Sequence, residues 1–181
     1  MHVYIPDDRA PVGLTVTAYV GLGSNAGDSA ERLAAARAAL AALPGVAAVR
    51  FSSVYRTEPQ GLKEQAFFLN QVGELLCSPE LTPEALLNAF LTMEAALGRE
   101  RTGVARFGPR AIDLDLLLFA NERMTTPQLS LPHPRMLDRA FVLLPLAELA
   151  PELRLPPGMT VREALGGIRY RFENGTIFQD G

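Results

Sequence analysis

Apolar positions along this chain switch between the two-residue period of strands and the three-to-four-residue period of helices. Leu14 to Leu22 (LTVTAYVGL) is rich in β-branched and aromatic residues and predicts a first strand. It runs into Gly23-Ser24-Asn25-Ala26-Gly27, a turn in which glycine lets the backbone approach a neighbour closely. Asp28 follows as a helix N-cap, with Glu31 three residues on in a capping-box pattern. Leu33, Ala36, Leu40 and Leu43 then recur at helical spacing until Pro44-Gly45 stops the helix. Val46 to Arg56 predicts a second strand, and a polar loop runs from Thr57 to about Gln65. Phe67 to Leu76 predicts a third, placing Phe68, Asn70 and Val72 on one face. Thr82-Pro83 opens a second helix with a Leu86, Phe90, Met93, Leu97 stripe, closed by Gly98. Ile112 to Phe119 is a fourth strand.

Strand, helix, strand, strand, helix, strand is the order of an α+β, ferredoxin-like βαββαβ sandwich. It predicts an antiparallel sheet with both helices on one face, the other face left for a ligand, and C-terminal additions. Those additions comprise a turn at Asn121-Glu122, the proline-bracketed LSLPHPRM and a helix-like stretch from Asp138 to Leu149. After Pro151 the apolar pattern thins and assigns nothing. At 181 residues the chain suits one core, so residues 1–14 are expected to be an N-terminal extension and 15–181 a single domain.

The fourth strand carries Asp113 and Asp115 in an otherwise aliphatic run. Alternation puts both carboxylates on one face with Cα atoms about 6.5 Å apart. Like charges that close, poorly solvated, force one carboxyl to protonate unless cations compensate. Arg99, Arg101, Arg106 and Arg110 stand upstream against the single Glu100, in a loop punctuated by Gly103 and Gly108 and long enough to act as a lid. A Mg2+ site facing a polyphosphate fits these residues, since hard cations take oxygen ligands and arginine pairs phosphate bidentately. Solvated, loop-capping aspartates are the plainer alternative. Asn70 is the misfit of the third strand: it either caps a strand edge or reads the donor and acceptor edge of a heterocycle. His133, mounted between Pro132 and Pro134 and followed by Arg135 and Arg139, is either structural or phosphate-facing. The Gly-rich turn at 23–27 meets neither dinucleotide nor P-loop spacing, so a phosphate cradle and a plain turn both remain open there.

A formal charge of −3 argues against a general nucleic-acid or membrane-surface binder. The basic residues are 16 arginines and Lys63, a compositional bias of the whole chain. Cys77 is the one cysteine, so no internal disulfide forms; its apolar neighbours favour packing over nucleophilic chemistry. No apolar stretch approaches spanning length and residues 1–14 lack a signal-peptide core, so a cytoplasmic protein is expected.

Y-V-G-L-G-S-N (19–25), S-S-V-Y-R-T (52–57), F-L-N (68–70), R-F-G-P-R-A-I-D-L-D-L-L-L-F (106–119) and L-P-H-P-R (131–135) together resemble the 6-hydroxymethyl-7,8-dihydropterin pyrophosphokinase family. The likeness runs from about residue 16 to 150. It implies transfer of a pyrophosphoryl group from ATP to a reduced pterin in folate biosynthesis, with release of AMP. It further implies two Mg2+ ions with ATP at Asp113 and Asp115, and catalytic roles for Arg99, Arg110, Asp113 and Asp115. Arg99, Arg101, Arg106, Arg110, Ser130, His133 and Arg139 match ATP-binding positions, and Thr57, Phe68, Asn70, Asp113 and Phe141 the pterin pocket. Gly23, Asn25 and Glu94 match without a firm role. Phe68 stands where the family often has tyrosine, and Phe107 where it often has tryptophan. The two small-molecule substrates are the only partners implied, with neither nucleic acid nor membrane nor a required protein partner. A two-metal nucleotidyl transferase or cyclase and a ferredoxin-like binding module are the competing classes.

Overall fold

The computed structural model describes residues 3–4, 15–60, 64–99, 108–156 and 158–179. In chain order its elements are β1 (Val3–Tyr4), β2 (Val16–Ser24), α1 (Ser29–Ala41), β3 (Val46–Phe51), β4 (Tyr55–Thr57), β5 (Phe68–Cys77), α2 (Pro83–Ala96) and β6 (Asp113–Phe119). There follow β7 (Met124–Thr125), β8 (Ser130–Leu131), α3 (Ala140–Leu149), α4 (Val161–Gly166), β9 (Arg171–Glu173) and β10 (Thr176–Phe178).

The helices begin where local chemistry satisfies their first N–H groups. Asp28 Oδ1 accepts from Glu31 N at 3.0 Å, and Thr82 Oγ1 accepts from Ala85 N at 3.2 Å with Pro83 at the start of α2. α2 is released by Gly98 at φ +86°, a left-handed conformation that glycine adopts without strain. Leu33, Ala36 and Leu40 of α1 are buried as their spacing predicts. In α2, Leu86 and Phe90 are buried and Met93 and Leu97 are partly so; Glu94, one more turn along, is buried as well.

β2 is the central strand. It pairs antiparallel with β5 from Val16↔Cys77 to Ser24↔Leu69, and with β6 from Ala18↔Phe119 to Gly23↔Asp113. The outer edge of β5 carries β3 and β4, also antiparallel, so the order across the core is β3/β4, β5, β2, β6. The single strand expected over 46–56 is therefore two. Between them Ser52 N donates to Val72 O while Ser52 Oγ accepts from Val72 N, so the serine side chain stands in for a main-chain group. The freed N–H of Ser53 goes instead to Glu148 of α3, which also accepts from Ser53 Oγ and Tyr55 Oη. β1 extends the sheet beyond β3, and β10 joins β4 in parallel with β9 outside it. β7 and β8 form a separate ribbon.

Alternation divides the sheet into two faces. Ala18, Val20, Leu22, Leu75, Leu114 and Leu116 point toward α1 and α2 and form the main core with Leu40, Leu86 and Phe90. Cys77 joins them fully buried; desolvation pushes its thiol up to about 11, which suits a packed residue and not a nucleophile. The opposite face is not left open along its length, contrary to the sequence-based expectation. Tyr19, Val72 and Leu117 are covered by Val142, Leu143 and Leu146 of α3, with Val161 and Ala164 of α4 behind them. An antiparallel sheet this apolar on both sides needs a second layer. The end of that face carrying Asp113, Gly23 and Asn70 opens into a cavity.

Phe90 is fully buried at the junction of α2 with the sheet. Phe90→Ala is expected to lower the unfolding free energy by about 3–5 kcal/mol in urea denaturation. Val54→Ala, at a residue 43% exposed, should change it by less than about 0.5 kcal/mol.

Candidate active site

Strand register builds the floor of the site. Asp113 lies opposite Gly23, Gly23 opposite Asn70, and Asp115 opposite Gly21. One row across three strands thus reads carboxylate, glycine, amide. A Cβ at position 23 would sit 2.8 Å from Asn70 Oδ1, so the missing side chain is what lets the amide lie there. The result is a cavity of about 310 Å³. Gly21, Gly23, Asn70 and Val72 line its floor, Thr57, Glu58 and Gln60 one wall, and Arg135, Arg139, Phe141 and Val142 the other.

The cavity has two chemically distinct ends. At one, Phe68 and Phe141 supply aromatic surface, and Asn70 Nδ2 donates to Thr57 Oγ1 at 2.6 Å. Both polar residues are buried, Asn70 at 7% exposure and Thr57 at 3%, so the pair is fixed before any ligand arrives. At the other end Asp113 accepts from Arg99 Nη1 at 2.5 Å and from Arg110 Nη1. Arg99 is shared with Glu94, which is 1% exposed and also accepts from Leu114 N at 2.8 Å. Leu114 N belongs to the outer edge of β6, so Glu94 both seals a sheet edge and aims Arg99.

Arg110 is anchored through its backbone. Its N–H donates to Asn25 Oδ1 at 2.7 Å, and its carbonyl accepts from the N–H groups of Asn25 (3.0 Å) and Ala26 (3.2 Å). Asn25 Nδ2 in turn reaches Gln65 Oε1 and Ala66 O. The turn at 23–27 is therefore a bracket for the 108–111 segment, and its first N–H groups are spent on protein rather than presented as a phosphate cradle.

Asp115 keeps 40% of its side chain open to the cavity yet is deep enough for burial to govern its titration. Desolvation first, then the neighbouring Asp113 charge, raise its pKa to about 6, with Arg139 and Arg110 opposing. Arg139 Nη1 lies 3.8 Å from Asp115 Oδ2 and its guanidinium 5.3 Å from the centre of the Phe141 ring. Desolvation, with Arg135 nearby, lowers the Arg139 pKa from its usual value. The same arginines and above all desolvation bring His133 down to about 4. Its Nδ1 accepts from Arg135 N at 3.3 Å, so the neutral ring carries its proton on Nε2.

Of the residues singled out by sequence, Thr57, Phe68, Asn70, Arg110, Asp113, Asp115, Arg139 and Phe141 line one cavity. Arg99 joins them through Asp113, and His133 stands close enough to feel Arg135 and Arg139 without lining the wall. Ser130 sits in β8 opposite Thr125 and does not line the cavity. Arg101, Arg106, Phe107 and the body of the supposed lid lie outside the described residues. Glu94 acquires a role that its sequence position only hinted at, as a carboxylate one turn beyond Phe90 on a buried stripe. Glu58 and Gln60 were not separable from a generic polar loop.

Carboxylates and arginines set at one end of a slot with an aromatic, amide-bearing other end define a phosphotransferase site. The family profile described as 7,8-dihydro-6-hydroxymethylpterin-pyrophosphokinase matches residues 19–151. The 2-amino-4-hydroxy-6-hydroxymethyldihydropteridine pyrophosphokinase of Methylorubrum extorquens is 50% identical over 151 residues, 83% of this chain and 92% of that one. That of Pseudomonas aeruginosa is 44% identical over 84% of this chain and 91% of its own. The chain belongs to this family of pyrophosphokinases. In fold it resembles a Plasmodium falciparum HPPK-DHPS structure with pteroate at a TM-score of 0.65 and 15% identity, covering 87% of this chain. It spans only 43% of that longer chain.

Two outcomes test this geometry. Gly23→Ala is expected to displace the Asn70 amide and break its bond to Thr57, costing about 1 kcal/mol of stability; a crystal structure with Asn70 unmoved would contradict it. For His133, NMR titration of the ring should give a midpoint near 4. A ring held below its ordinary value contributes stability that is intact above pH 6.5 and lost as pH falls through about 4. His133→Asn, which keeps an acceptor for Arg135 N, should flatten that acid-side loss in denaturation measured between pH 7 and pH 4.

Proposed function

We propose that this slot is where the chain transfers pyrophosphate from ATP to the hydroxymethyl group of 6-hydroxymethyl-7,8-dihydropterin, the folate-pathway reaction of its family, with release of AMP. The coincidence in one cavity of the buried Asn70–Thr57 pair and the Asp113–Asp115 pair, joined across Gly23, carries this reading. A planar ring fits between Phe68 and Phe141, with Asn70 and Thr57 reading its donor and acceptor edge. Its hydroxymethyl group then faces Asp113 and Asp115. The phosphates of ATP fall to Arg99, Arg110, Arg139 and His133, with Arg101 and Arg106 adding charge from the same loop and Ser130 lying toward the ribose.

The carboxylates suit Mg2+. They offer hard oxygen ligands on one strand face, where burial first and the Asp113 charge second raise the Asp115 pKa. Among the described residues no group of three or more His, Cys, Asp or Glu side chains could hold a metal ion. The two ions would therefore enter with the triphosphate, which completes their coordination. When bound they lower the charge barrier at the β-phosphoryl group and acidify the attacking hydroxyl.

The chain's own residues orient and neutralise. Held by Asn70, Thr57 and the two rings, the pterin presents its hydroxymethyl oxygen in line with the β-phosphorus. The new O–P bond forms as the bond from the β-phosphorus to the bridging oxygen breaks, AMP leaves with that oxygen, and the hydroxyl proton passes to solvent. Arg99 and Arg110 stabilise the charge that accumulates on the transferring oxygens. The neutral His133 donates from Nε2.

We read the β3/β4, β5, β2, β6 order with α1 and α2 on one face as ferredoxin-like topology, and residues 15–181 as one catalytic unit behind an N-terminal extension. Among the described residues no helix is long and apolar enough to cross a membrane. The reaction needs only two diffusible substrates, and we assign it to the cytoplasm.

Phosphorus NMR of the protein mixed with ATP, Mg2+ and 6-hydroxymethyl-7,8-dihydropterin should show AMP and a pterin diphosphate. Release of ADP or of pyrophosphate would overturn the reaction assigned. Asp115→Asn should lose at least about a thousandfold in turnover together with Mg2+-dependent ATP binding, while retaining its thermal unfolding temperature. Ordinary activity in that variant would remove the metal assignment.

A further inference from the structure

The floor of the slot belongs to the core sheet, but its two walls come from separate segments. One follows β4 and includes Glu58 and Gln60; the other opens α3 and includes Arg139 and Phe141. Gln179, just beyond β10, touches both. Its backbone N donates to Glu58 Oε1 at 2.8 Å, and its Oε1 accepts from Gln60 Nε2 at 3.3 Å. The same Oε1 accepts from Ala140 N at 2.8 Å, while Nε2 donates to Asp138 O at 2.8 Å. Arg139, at the N-cap position of α3, makes no side-chain cap bond, so Gln179 supplies the missing cap from a distant part of the sequence. Asp138 and Ala140 bracket Arg139 itself. β10 also runs parallel to β4, with Glu58 N donating to Ile177 O at 3.2 Å.

The match to the family profile ends at residue 151, so Gln179 lies outside it while the residues it holds lie within. Two of the arginines at the phosphate end are secured without this clasp, Arg99 by Glu94 and Arg110 by Asn25, and only Arg139 of that group sits at the clasp.

We propose that Gln179 is a positioning residue for the acceptor: by tying the 58–60 segment to the start of α3 it sets the separation of Thr57 from Phe141, and with it the affinity for the pterin ring. This rests on the reading of the slot as the acceptor site. The C-terminal strand pair is thereby part of the substrate-binding apparatus.

The test uses the full-length protein with Gln179→Ala, and Gln179→Glu, which keeps an oxygen for Ala140 N. Gln179→Ala is expected to raise KM for 6-hydroxymethyl-7,8-dihydropterin about tenfold, with kcat at saturation held within about twofold and KM for ATP, reached only through Arg139, raised by no more than about threefold. Gln179→Glu should recover part of the loss. Amide hydrogen exchange should quicken at 58–60 and 140–143 in Gln179→Ala and stay unchanged in β2 and β6. KM values for both substrates rising by the same factor, or a lower melting temperature with both KM values unchanged, would overturn the proposal in favour of a structural role. If wild-type protein forms no AMP with this pterin, the acceptor reading itself has failed. The exchange pattern then still decides the clasp, quickening at both walls supporting it and unchanged exchange refuting it.

Discussion

Everything at the reactive end of this molecule depends on Asp113, a carboxylate placed in a strand whose other residues, apart from Asp115, are apolar. A charge there is tolerated only if it is paired and hydrogen-bonded. Arg99 and Arg110 provide that, and each is itself held by something further out: Arg99 by the buried Glu94 of α2, Arg110 by the side chain of Asn25. A helix, the turn after β2 and the entrance to β6 are thus locked to one another through a single carboxylate. The charges that line the slot and the bonds that order its surroundings are one set.

Absence of side chains matters as much as their presence. In β2, Tyr19 fills the space under α3, whereas Gly21 and Gly23 on the same face leave it empty. The two-residue period carries the strand from packed layer to cavity floor without a change of direction. α3 then ends the covered region: Val142, Leu143 and Leu146 bury against the sheet, and Phe141, on its first turn, turns toward the slot. The apolar layer that stabilises the second face and the aromatic wall of the slot are successive residues of one helix.

Much of this was legible in sequence because it follows short-range periodicity. Asp28 and Thr82 marked helix starts, and the Asp113–Asp115 spacing placed two carboxylates on one face. The break of the second strand at Ser52 was not legible, since its cause is Glu148, a residue far along the chain that takes the Ser53 N–H. Nor was the covering of the second face: the pattern over 138–149 marks a helix but not the layer it packs on, and α4 behind it is six residues long, below the length at which a period declares itself. Glu94 was hidden for the opposite reason. It interrupts an apolar stripe with a charge whose partners, Arg99 and Leu114 N, come from the next loop and strand.

The pairing around Asp113 also sets how such a site must respond to its substrates. Arg99 and Arg110 are committed to Asp113 in the structure described, yet phosphate binding on the proposed reading requires them to face the triphosphate. On that reading Asp113 and Asp115 would hold a divalent cation bound with ATP, which would supply positive charge beside them and leave Arg99 and Arg110 for phosphate oxygens. The Asn70–Thr57 pair stands apart from these groups: both residues are buried and Asn70 donates to Thr57. On the proposed reading the pairs that substrate must displace lie at the carboxylate–arginine end of the slot, while the amide end is already ordered by its own hydrogen bond.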